Sequence, residues 1–318
     1  MDTLTLTIGA ILFSATSLIY ATIGEILTER SGILNLGLEG LMMMGALSGF
    51  AVCYHTHSLF LSVIVALIVG ALMSSIHAFL TITMKASQVV SGLSLTIFGV
   101  GLANFLGERL GPESNSFQLT GLEAPRFEQI AIPFLHEIPI IGPVFHQDLL
   151  TYIVYLLIPL SWFFVYKTKY GLELQAVGEN PRTAEAMGIN VIRLRYIYTI
   201  VGGMLVSLGG SHLTLSYMSG WNENKTDGRG WIVIALVIFA MWDPKKAILG
   251  ALLFGGISAL QLSLQAGGIT FIPASFLDML PYLATVLVLI CLTIWEIVSK
   301  RKFGAPASLG VNFMREEK

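Results

Sequence analysis

Residues 31–47 read SGILNLGLEGLMMMGAL, a stretch apolar enough to lie in a membrane although it contains Asn35 and Glu39. An acid at mid-depth costs about 2.5 to 3.5 kcal/mol on insertion scales, so such residues usually face protein or a water path. If a helix has begun by Leu34, the two side chains are four residues apart and share one face. That face would either tie an interrupted helix to its neighbours or line a cytoplasmic gate, and the sequence leaves both open.

The rest of the chain has the composition of an integral membrane protein. Of its 318 residues, 54% are hydrophobic and 12% are charged, and the mean hydropathy is +0.75. Soluble domains contain about 25% charged residues. The net charge of −2 gives no sign of a nucleic-acid-binding surface. Cys53 and Cys291 belong to no CxxC pattern and are expected to pack as small apolar side chains.

Apolar segments recur along the whole chain at lengths that approach the roughly 20 residues needed to cross a bilayer. They predict an all-α polytopic membrane protein with one transmembrane domain over residues 1–318. The N-terminus lacks the basic region of a cleaved signal peptide, so the first segment is expected to be a retained span. The predicted spans are residues 4–23, 38–54, 59–84, 88–107, 149–166, 196–217, 230–242, 246–265 and 280–298, nine in all.

The basic residues indicate the orientation of these spans. When alternate loops are assigned to opposite sides, one face receives all 18 lysines and arginines except Arg109, Arg126, Lys225 and Arg229. The positive-inside rule makes this face cytoplasmic, with the N-terminus outside and the tail of residues 299–318 inside. Segment 230–242 is short for a span and could turn back. Lys245 and Lys246 would then move outside, so the charges favour a crossing.

Two long connections join the spans. Residues 109–148 are expected to be external, either as a cap over a mouth or as an ordered connector. Residues 167–195, here named the ENP loop, are expected to be cytoplasmic. In this loop Asn180 is the predicted N-cap of a short helix, Pro181 its first residue and Gly188 its left-handed stop.

The short helix in the ENP loop has an apolar side formed by Ala184 and Met187, which are three residues apart. A helix of two turns is marginal in water, so a partner surface should cover that side. The partner is the membrane surface, the bundle itself or a cytoplasmic subunit. The chain contains no GxxxxGK[ST] motif for ATP, so an ATP-driven transport reaction would need a separate ATPase chain.

Three stretches carry a resemblance to a known family: GEILTERSGILNLGLEGLMMMGAL at 24–47, YGLELQAVGENPRTAEAMGINV at 170–191 and GRGWIVIALVIFAMWDPKKAILGALLFGG at 228–256. The chain resembles the permease subunits of ABC importers for ribose, branched-chain amino acids and nucleosides. It is most similar to the nucleoside permeases that work with lipoproteins of the basic-membrane-protein type. Monosaccharides and branched-chain amino acids are the alternative substrates.

This resemblance implies partners and a docking site. The partners would be a second permease subunit, commonly a different chain, an ABC ATPase that binds ATP and Mg²⁺, and an external substrate-binding lipoprotein. No cofactor is expected in this chain. The ENP loop would hold the coupling helix that contacts the ATPase through Glu179, Asn180, Pro181, Ala184, Met187 and Gly188.

Further polar residues are candidates for a substrate pathway. Besides Asn35 and Glu39, they are Ser91, Ser94, Asn104, Trp221 and Asn222. Trp221 and Asn222 belong to residues 219–231, at the expected outer end of the short segment 230–242. Residues 219–231 form either a transport site or a contact for the external lipoprotein. His77 and His212 are expected to be hydrogen-bonded packing residues, and Met42, Met43 and Met44 to pack in the bundle or face lipid.

Two other functional classes fit the sequence less well. A secondary transporter is expected to carry a charged pair deep in its spans, and the predicted spans show none. An intramembrane enzyme would need a motif such as HExxH or GxSxG, and neither occurs. The sequence therefore predicts a transport subunit in a bacterial cell membrane, with a polar, uncharged solute as its substrate.

Overall fold

A computed structural model describes residues 3–138, 141–266, 273, 276, 279–299 and 304–314. As the apolar periodicity predicts, the described chain is mostly helical. Five of the basic residues assigned to the cytoplasmic face lie outside the described residues: Lys300, Arg301, Lys302, Arg315 and Lys318. The helices are α1 (Thr3–Arg30), α2 (Leu38–Thr56), α3 (Leu59–Ala78), α4 (Gln88–Gly107), α5 (Leu149–Lys167), α6 (Lys169–Glu179), α7 (Pro181–Ala186), α8 (Val191–His212), α9 (Arg229–Phe239), α10 (Pro244–Ala266) and α11 (Leu280–Ser299).

Five of the described helical segments are long and apolar enough to cross a membrane. Two of them include a π-helical turn, Phe79–Thr83 after α3 and Leu213–Tyr217 after α8. The number of spans and the sidedness of the termini stay predictions. The five segments are Thr7–Arg30, Leu59–Thr83, Gln88–Gly107, Leu149–Lys167 and Val191–Tyr217.

The centre of the bundle is formed by α8, which packs against both α1 and α2. Met42 and Met43 are fully buried in this core and Met44 is nearly so, which confirms that the methionines are packing residues. Helices α3, α4 and α5 are more peripheral and expose large apolar side chains such as Ile97 and Leu156. Apolar side chains on the outside of a helical bundle are typical of a surface that faces lipid.

The first helix is longer than predicted. Helix α1 continues past residue 23 to Arg30, which places Glu25 and Glu29 inside the bundle at 0% and 3% exposure. The predicted span ends at residue 23, but these two carboxyls belong to the same helix and face protein. They lie within the last six residues of α1, so the absence of a charged pair deep in the spans stays a prediction.

Helix α2 begins too late to include both Asn35 and Glu39. Residues 33–37 are not helical and α2 starts at Leu38. The condition under which Asn35 and Glu39 would share a helix face, a helix that has begun by Leu34, is not met, because Asn35 lies in the extended segment before the helix. Its side-chain oxygen accepts from the Gly37 N–H at 2.9 Å, which turns the chain into α2.

Residues 109–148 pack over one end of the bundle. They include a two-stranded antiparallel sheet of β1 (Ile130–Ala131) and β2 (His146–Gln147). The Phe127 N–H donates to the Leu215 carbonyl at 2.9 Å, which ties this segment to the end of the π-helical turn. Leu119 is fully buried beneath it. Pro139 lies outside the described residues.

Candidate functional site

Glu39 at the start of α2 holds the start of the short helix α9. One carboxylate oxygen accepts from the Thr226 hydroxyl and from the Gly228 N–H at 2.9 Å, and the other accepts from the Gly230 N–H at 2.6 Å. These N–H groups belong to the first turn of α9, where unpaired donors and the helix dipole favour a negative charge. The carboxylate, 7% exposed, is thus compensated by three hydrogen bonds.

This contact lies about halfway up the bundle. Arg229, beside Gly230, donates from Nη1 to the Ser14 carbonyl at 3.2 Å and to Ser17 Oγ at 3.3 Å. Ser14 and Ser17 are near the middle of the 28-residue helix α1, about 20 Å from either end at 1.5 Å per residue. The Arg229 guanidinium also lies 5.0 Å from the centre of the Tyr217 ring.

The expected positions of Glu39 and of residues 219–231 need correction. The charge pattern placed Glu39 near the inner end of its span and residues 219–231 at the outer end. The structure brings Glu39 into contact with Thr226, Gly228 and Gly230, so both regions reach the interior of the bundle. The reason is that both chains arrive in non-helical segments, 31–37 and 218–228, which enter the bundle before a helix begins.

Helix α9 covers only half of the bundle. Its 11 residues extend about 16 Å, and just beyond its end the Arg30 Nε donates to the Trp242 carbonyl at 2.8 Å. It thus runs from the middle of α1 to the C-terminal end of α1. Gly230 is required at its start, since a Cβ there would lie 2.5 Å from the Glu39 Cα. The short, protein-surrounded helix that the sequence suggested is present.

The segment before α9 also gathers three of the predicted pathway residues. Asn104 on α4 donates to Asn224 Oδ1 at 3.1 Å and accepts from the Asn224 N–H at 3.2 Å. Trp221 is buried at 3% exposure and its backbone bridges to Thr120, whereas Asn222 is exposed. Residues 221–228 therefore run from the end of α4 toward Glu39. They link Asn104, which bonds to Asn224, with Glu39, which bonds to Thr226.

The predicted residues Asn35 and Ser91 belong to a separate, neighbouring network. The Asn35 N–H donates to Glu25 Oε1 at 3.3 Å. His77 contacts Ser91 Oγ at 2.9 Å through Nδ1 and the Leu34 carbonyl at 3.1 Å through Nε2. This confirms that His77 is a hydrogen-bonded packing residue, and it gives Ser91 the same role of joining α3, α4 and the extended segment.

Ser94 points away from these groups. It is exposed on α4, on the same side as Ile97 and Gly101, while Ser91 and Thr96 are buried. The structure therefore separates Ser94 from the other candidates.

Some buried polar residues were missed by sequence reasoning. The Trp242 indole donates to Glu29 Oε2 at 2.5 Å, and Glu25 and Glu29 are one turn apart on α1. The spacing of four residues just before the SG pair at 31–32 is the signal that could have found them. Asp148 was also missed, because it is the last residue of the external segment 109–148 and resembles a surface residue.

His212 differs from its prediction. It is fully buried, but its ring nitrogens have no hydrogen-bond partner among the described residues, and Nε2 lies 3.8 Å from Asp148 Oδ1. The expected hydrogen-bonded packing is therefore not found at this position. Asp148 itself accepts from the Thr151 N–H at 3.1 Å and from Ser216 Oγ at 2.7 Å.

The ENP loop contains the predicted short helix and one more helix. Asn180 caps α7, since its side chain accepts from the Thr183 N–H at 3.1 Å, Pro181 is the first residue and Gly188 has a φ of +86°. These three features are confirmed. Helix α6, which ends at Glu179, was not predicted.

The two apolar residues of α7 have different surroundings. Ala184 is 3% exposed and packs with Val177 and Val191, so the chain itself covers this side of the helix. Met187 is 78% exposed, so the expectation that both face one covering surface is wrong within this chain. Met187 also lines a groove of 1320 Å³ between α5, α6 and α8.

Comparison with known proteins gives a match over nearly the whole chain. Residues 7–304 match the family described as branched-chain amino acid transport system / permease component. The nucleoside ABC transporter permease protein NupC of Lactococcus lactis is 33% identical, with 100% of this chain and 99% of that protein covered. The guanosine ABC transporter permease protein NupQ of Bacillus subtilis is 33% identical over 90% of this chain and 91% of its own.

A further relative is described as a permease for a different solute. The putative glucose ABC transporter permease protein TsgC13 of Haloferax volcanii is 41% identical, over 81% of this chain and 78% of its own. The apolar helices and the half-length helix inside the bundle define a multi-pass membrane protein. The chain belongs to the branched-chain amino acid type family of ABC transporter permease components.

Proposed function

We propose that this chain is the transmembrane permease subunit of an ATP-driven importer for nucleosides. The observation that carries the proposal is its similarity to two nucleoside-type permeases over at least nine-tenths of each chain. The chain imports substrate that an external binding lipoprotein delivers. It pairs with a second permease subunit of a different sequence, and a separate ABC ATPase binds the ATP and Mg²⁺.

The ENP loop is the proposed contact with the ATPase. It is held in place by its own caps and by the burial of Ala184, and it exposes Met187 together with Tyr170 and Leu172. Exposed apolar side chains on an ordered loop outside the spans suit a protein partner. Glu179, Asn180, Pro181 and Gly188 shape the loop that presents Met187.

The orientation proposed from the charges fits the way the chain folds. Arg30, Lys85 and the ENP loop lie at one end of the bundle with residues 304–314, and the segment of residues 109–148 packs at the other. We assign the first end to the cytoplasm, with nine spans and an external N-terminus. In this orientation α9 occupies the cytoplasmic half of the bundle and Glu39 lies near its midplane.

Glucose is the second candidate substrate, because of the 41% identity to a putative glucose permease. The deciding experiment is the ATPase activity of the reconstituted complex, measured with nucleosides, pentoses, glucose and branched-chain amino acids. Stimulation by nucleosides alone is expected. Stimulation by a sugar but by no nucleoside would overturn the proposed substrate and leave the permease assignment intact.

The ATPase contact is tested by a matched pair of substitutions. Met187→Asp places a charge on the proposed docking loop, whereas Phe134→Asp places one at an equally exposed apolar residue in residues 109–148. The tagged chain is co-expressed with an ABC ATPase and purified. We expect Met187→Asp to lose the ATPase and Phe134→Asp to keep it. Equal retention in both variants, with transport intact, contradicts the proposed contact.

Glu39 and its neighbours form the proposed gate. Short or interrupted helices near the midplane are where transporters bind their substrates. Two non-helical segments border Glu39: residues 31–37 contain Asn35, and residues 218–228 contain Trp221 and Asn222. We propose that these three residues, with Asn104 of α4, line or support the substrate path. Ser91 holds the helices together, and Ser94, on the exposed side of α4, faces a second permease subunit or lipid.

A further inference from the structure

Residues 304–314, here named the C-terminal strap, lie across one end of the bundle and touch the ENP loop. The Ser308 N–H donates to the Gly178 carbonyl at 2.9 Å, and its hydroxyl donates to the same carbonyl at 2.7 Å. Ser308 is 7% exposed. Phe313 packs against the apolar cluster that contains Ala184 of α7. The strap therefore fixes the ENP loop just before its short helix and beneath it.

The same strap also holds two other connections. The Gly310 N–H donates to the Gly32 carbonyl at 3.3 Å, in the break between α1 and α2. Asn312 donates to the Lys85 carbonyl at 2.6 Å and to the Ala86 carbonyl at 3.2 Å, in the connection between α3 and α4. A segment of 11 residues thus joins three parts of the chain that are far apart in sequence.

Arg195 anchors this arrangement from the first turns of α8. It is 2% exposed and is the largest fully buried side chain among the described residues. Its Nε donates to the Ser31 carbonyl at 3.1 Å, Nη2 to Ser308 Oγ at 3.2 Å, and Nη1 to the Val311 carbonyl at 3.3 Å. One guanidinium therefore connects the break before α2 with two positions on the strap.

The burial of Arg195 makes this geometry hard to distort. A buried charge is costly unless it is hydrogen-bonded, and here the acceptors are a hydroxyl and carbonyls. No carboxylate of the described residues forms an ion pair with it. The guanidinium is planar and holds its donors in a fixed fork, so a shift of the strap relative to Ser31 would leave buried donors unpaired.

We propose that the C-terminal strap, with Arg195, is a positioning element that passes movement of the ENP loop to the break before α2. The inference rests on the proposed function of the ENP loop as the ATPase contact. Gly178 lies two residues before Asn180, and Gly32 lies three residues before Asn35. Contiguous packed and hydrogen-bonded groups are the physical route by which such coupling travels, and coupling must be shown by measurement.

The test measures substrate transported per ATP hydrolysed in proteoliposomes that contain the complete transporter. Ser308→Ala removes one hydroxyl and keeps the backbone bond to Gly178. Arg195→Met removes all three bonds, and Arg195→Lys restores a charge that cannot reach three acceptors. A stop codon after residue 303 removes the strap. Ala307→Ser, at the exposed neighbour of Ser308, is the matched control.

We expect the first four variants to bind the ATPase and hydrolyse ATP, but to transport about 2- to 30-fold less substrate per ATP than the wild type. Ala307→Ser should match the wild type. An unchanged transport ratio in Ser308→Ala and Arg195→Met overturns the inference. Loss of protein or of thermal stability in Ser308→Ala, with an unchanged ratio in the protein that remains, assigns the strap a structural role and also overturns it.

The wild-type chain distinguishes failure of the proposed function from failure of the strap inference. If the wild-type chain itself does not bind an ABC ATPase, or transports without one, the proposed function and the strap inference fall together. If the wild type couples transport to ATP and the strap variants couple equally well, only the strap inference falls.

Discussion

The starts of helices α7 and α9 solve the same problem in two ways. Each leaves backbone N–H groups without partners in its own first turn. In α7 the acceptor is Asn180, three residues from the Thr183 N–H that it binds. In α9 the acceptor is Glu39, 191 residues away from the Gly230 N–H. A local cap organises a surface loop, whereas a distant one joins two helices inside the bundle.

This difference teaches where the protein can tolerate change. Losing a local cap costs a fraction of the stability of one short helix. Losing the distant cap leaves unpaired donors in a protein interior and also separates α2 from α9. Substitutions at Gly230, Glu39 and Asn180 test that contrast.

Gly230→Ala should have the largest effect. The new Cβ would lie 2.5 Å from the Glu39 Cα, so the backbones of α2 and α9 must move apart, at a cost of about 1 to 3 kcal/mol. The expected result is a lower melting temperature of the detergent-solubilised protein and loss of uptake. Gly101→Ala is the control, because no atom lies within 4 Å of a Cβ at that helical position. An unchanged melting temperature in Gly230→Ala would contradict the close approach.

Glu39→Gln should lower transport more than it lowers expression. The amide keeps one oxygen for Thr226 and Gly228, but its NH₂ group cannot accept from the Gly230 N–H, which loses a charged hydrogen bond. Such a bond contributes about 1.5 to 3 kcal/mol, enough for a reduction in uptake of about tenfold or more.

The measurement is the rate of uptake per amount of protein in the membrane, with Glu108→Gln as the exposed control. Equal losses in uptake and expression would show that Glu39 only holds the interrupted helix in place. A larger loss in uptake supports the gate.

Asn180→Ala should have the smallest effect on the permease itself. It removes the cap of a six-residue helix at a cost of about 1 kcal/mol, and the melting temperature of the isolated chain should change little. The affinity for the ATPase should fall severalfold, because α7 is then less often formed. Asn180→Ser keeps a capping oxygen and should restore binding. Equal affinity in Ala and Ser variants would exclude the cap from the contact.

The sequence was a good guide wherever a structural signal is local. The start of α2 at Leu38, the start and end of α4 and the caps of α7 were all predicted from neighbouring residues. The extra length of α1 was not predicted. Glu25 and Glu29 look unsuited to a membrane span in the sequence, but in the packed bundle both side chains are buried by protein. For the same reason Arg195 was counted with the cytoplasmic surface charges, although it is 2% exposed.

The sequence alone predicts a polytopic membrane protein of the permease type, most of its helices and an ordered ENP loop. Those features follow from hydropathy, helix caps and motifs, which act over a few residues. The packed structure adds that Glu39 caps α9 near mid-bundle, that Asn35 binds elsewhere, and that the C-terminal strap joins the ENP loop to the break before α2. The contacts of Glu39 and of the strap link residues more than a hundred positions apart, and the burial that makes them strong exists only once the helices have packed.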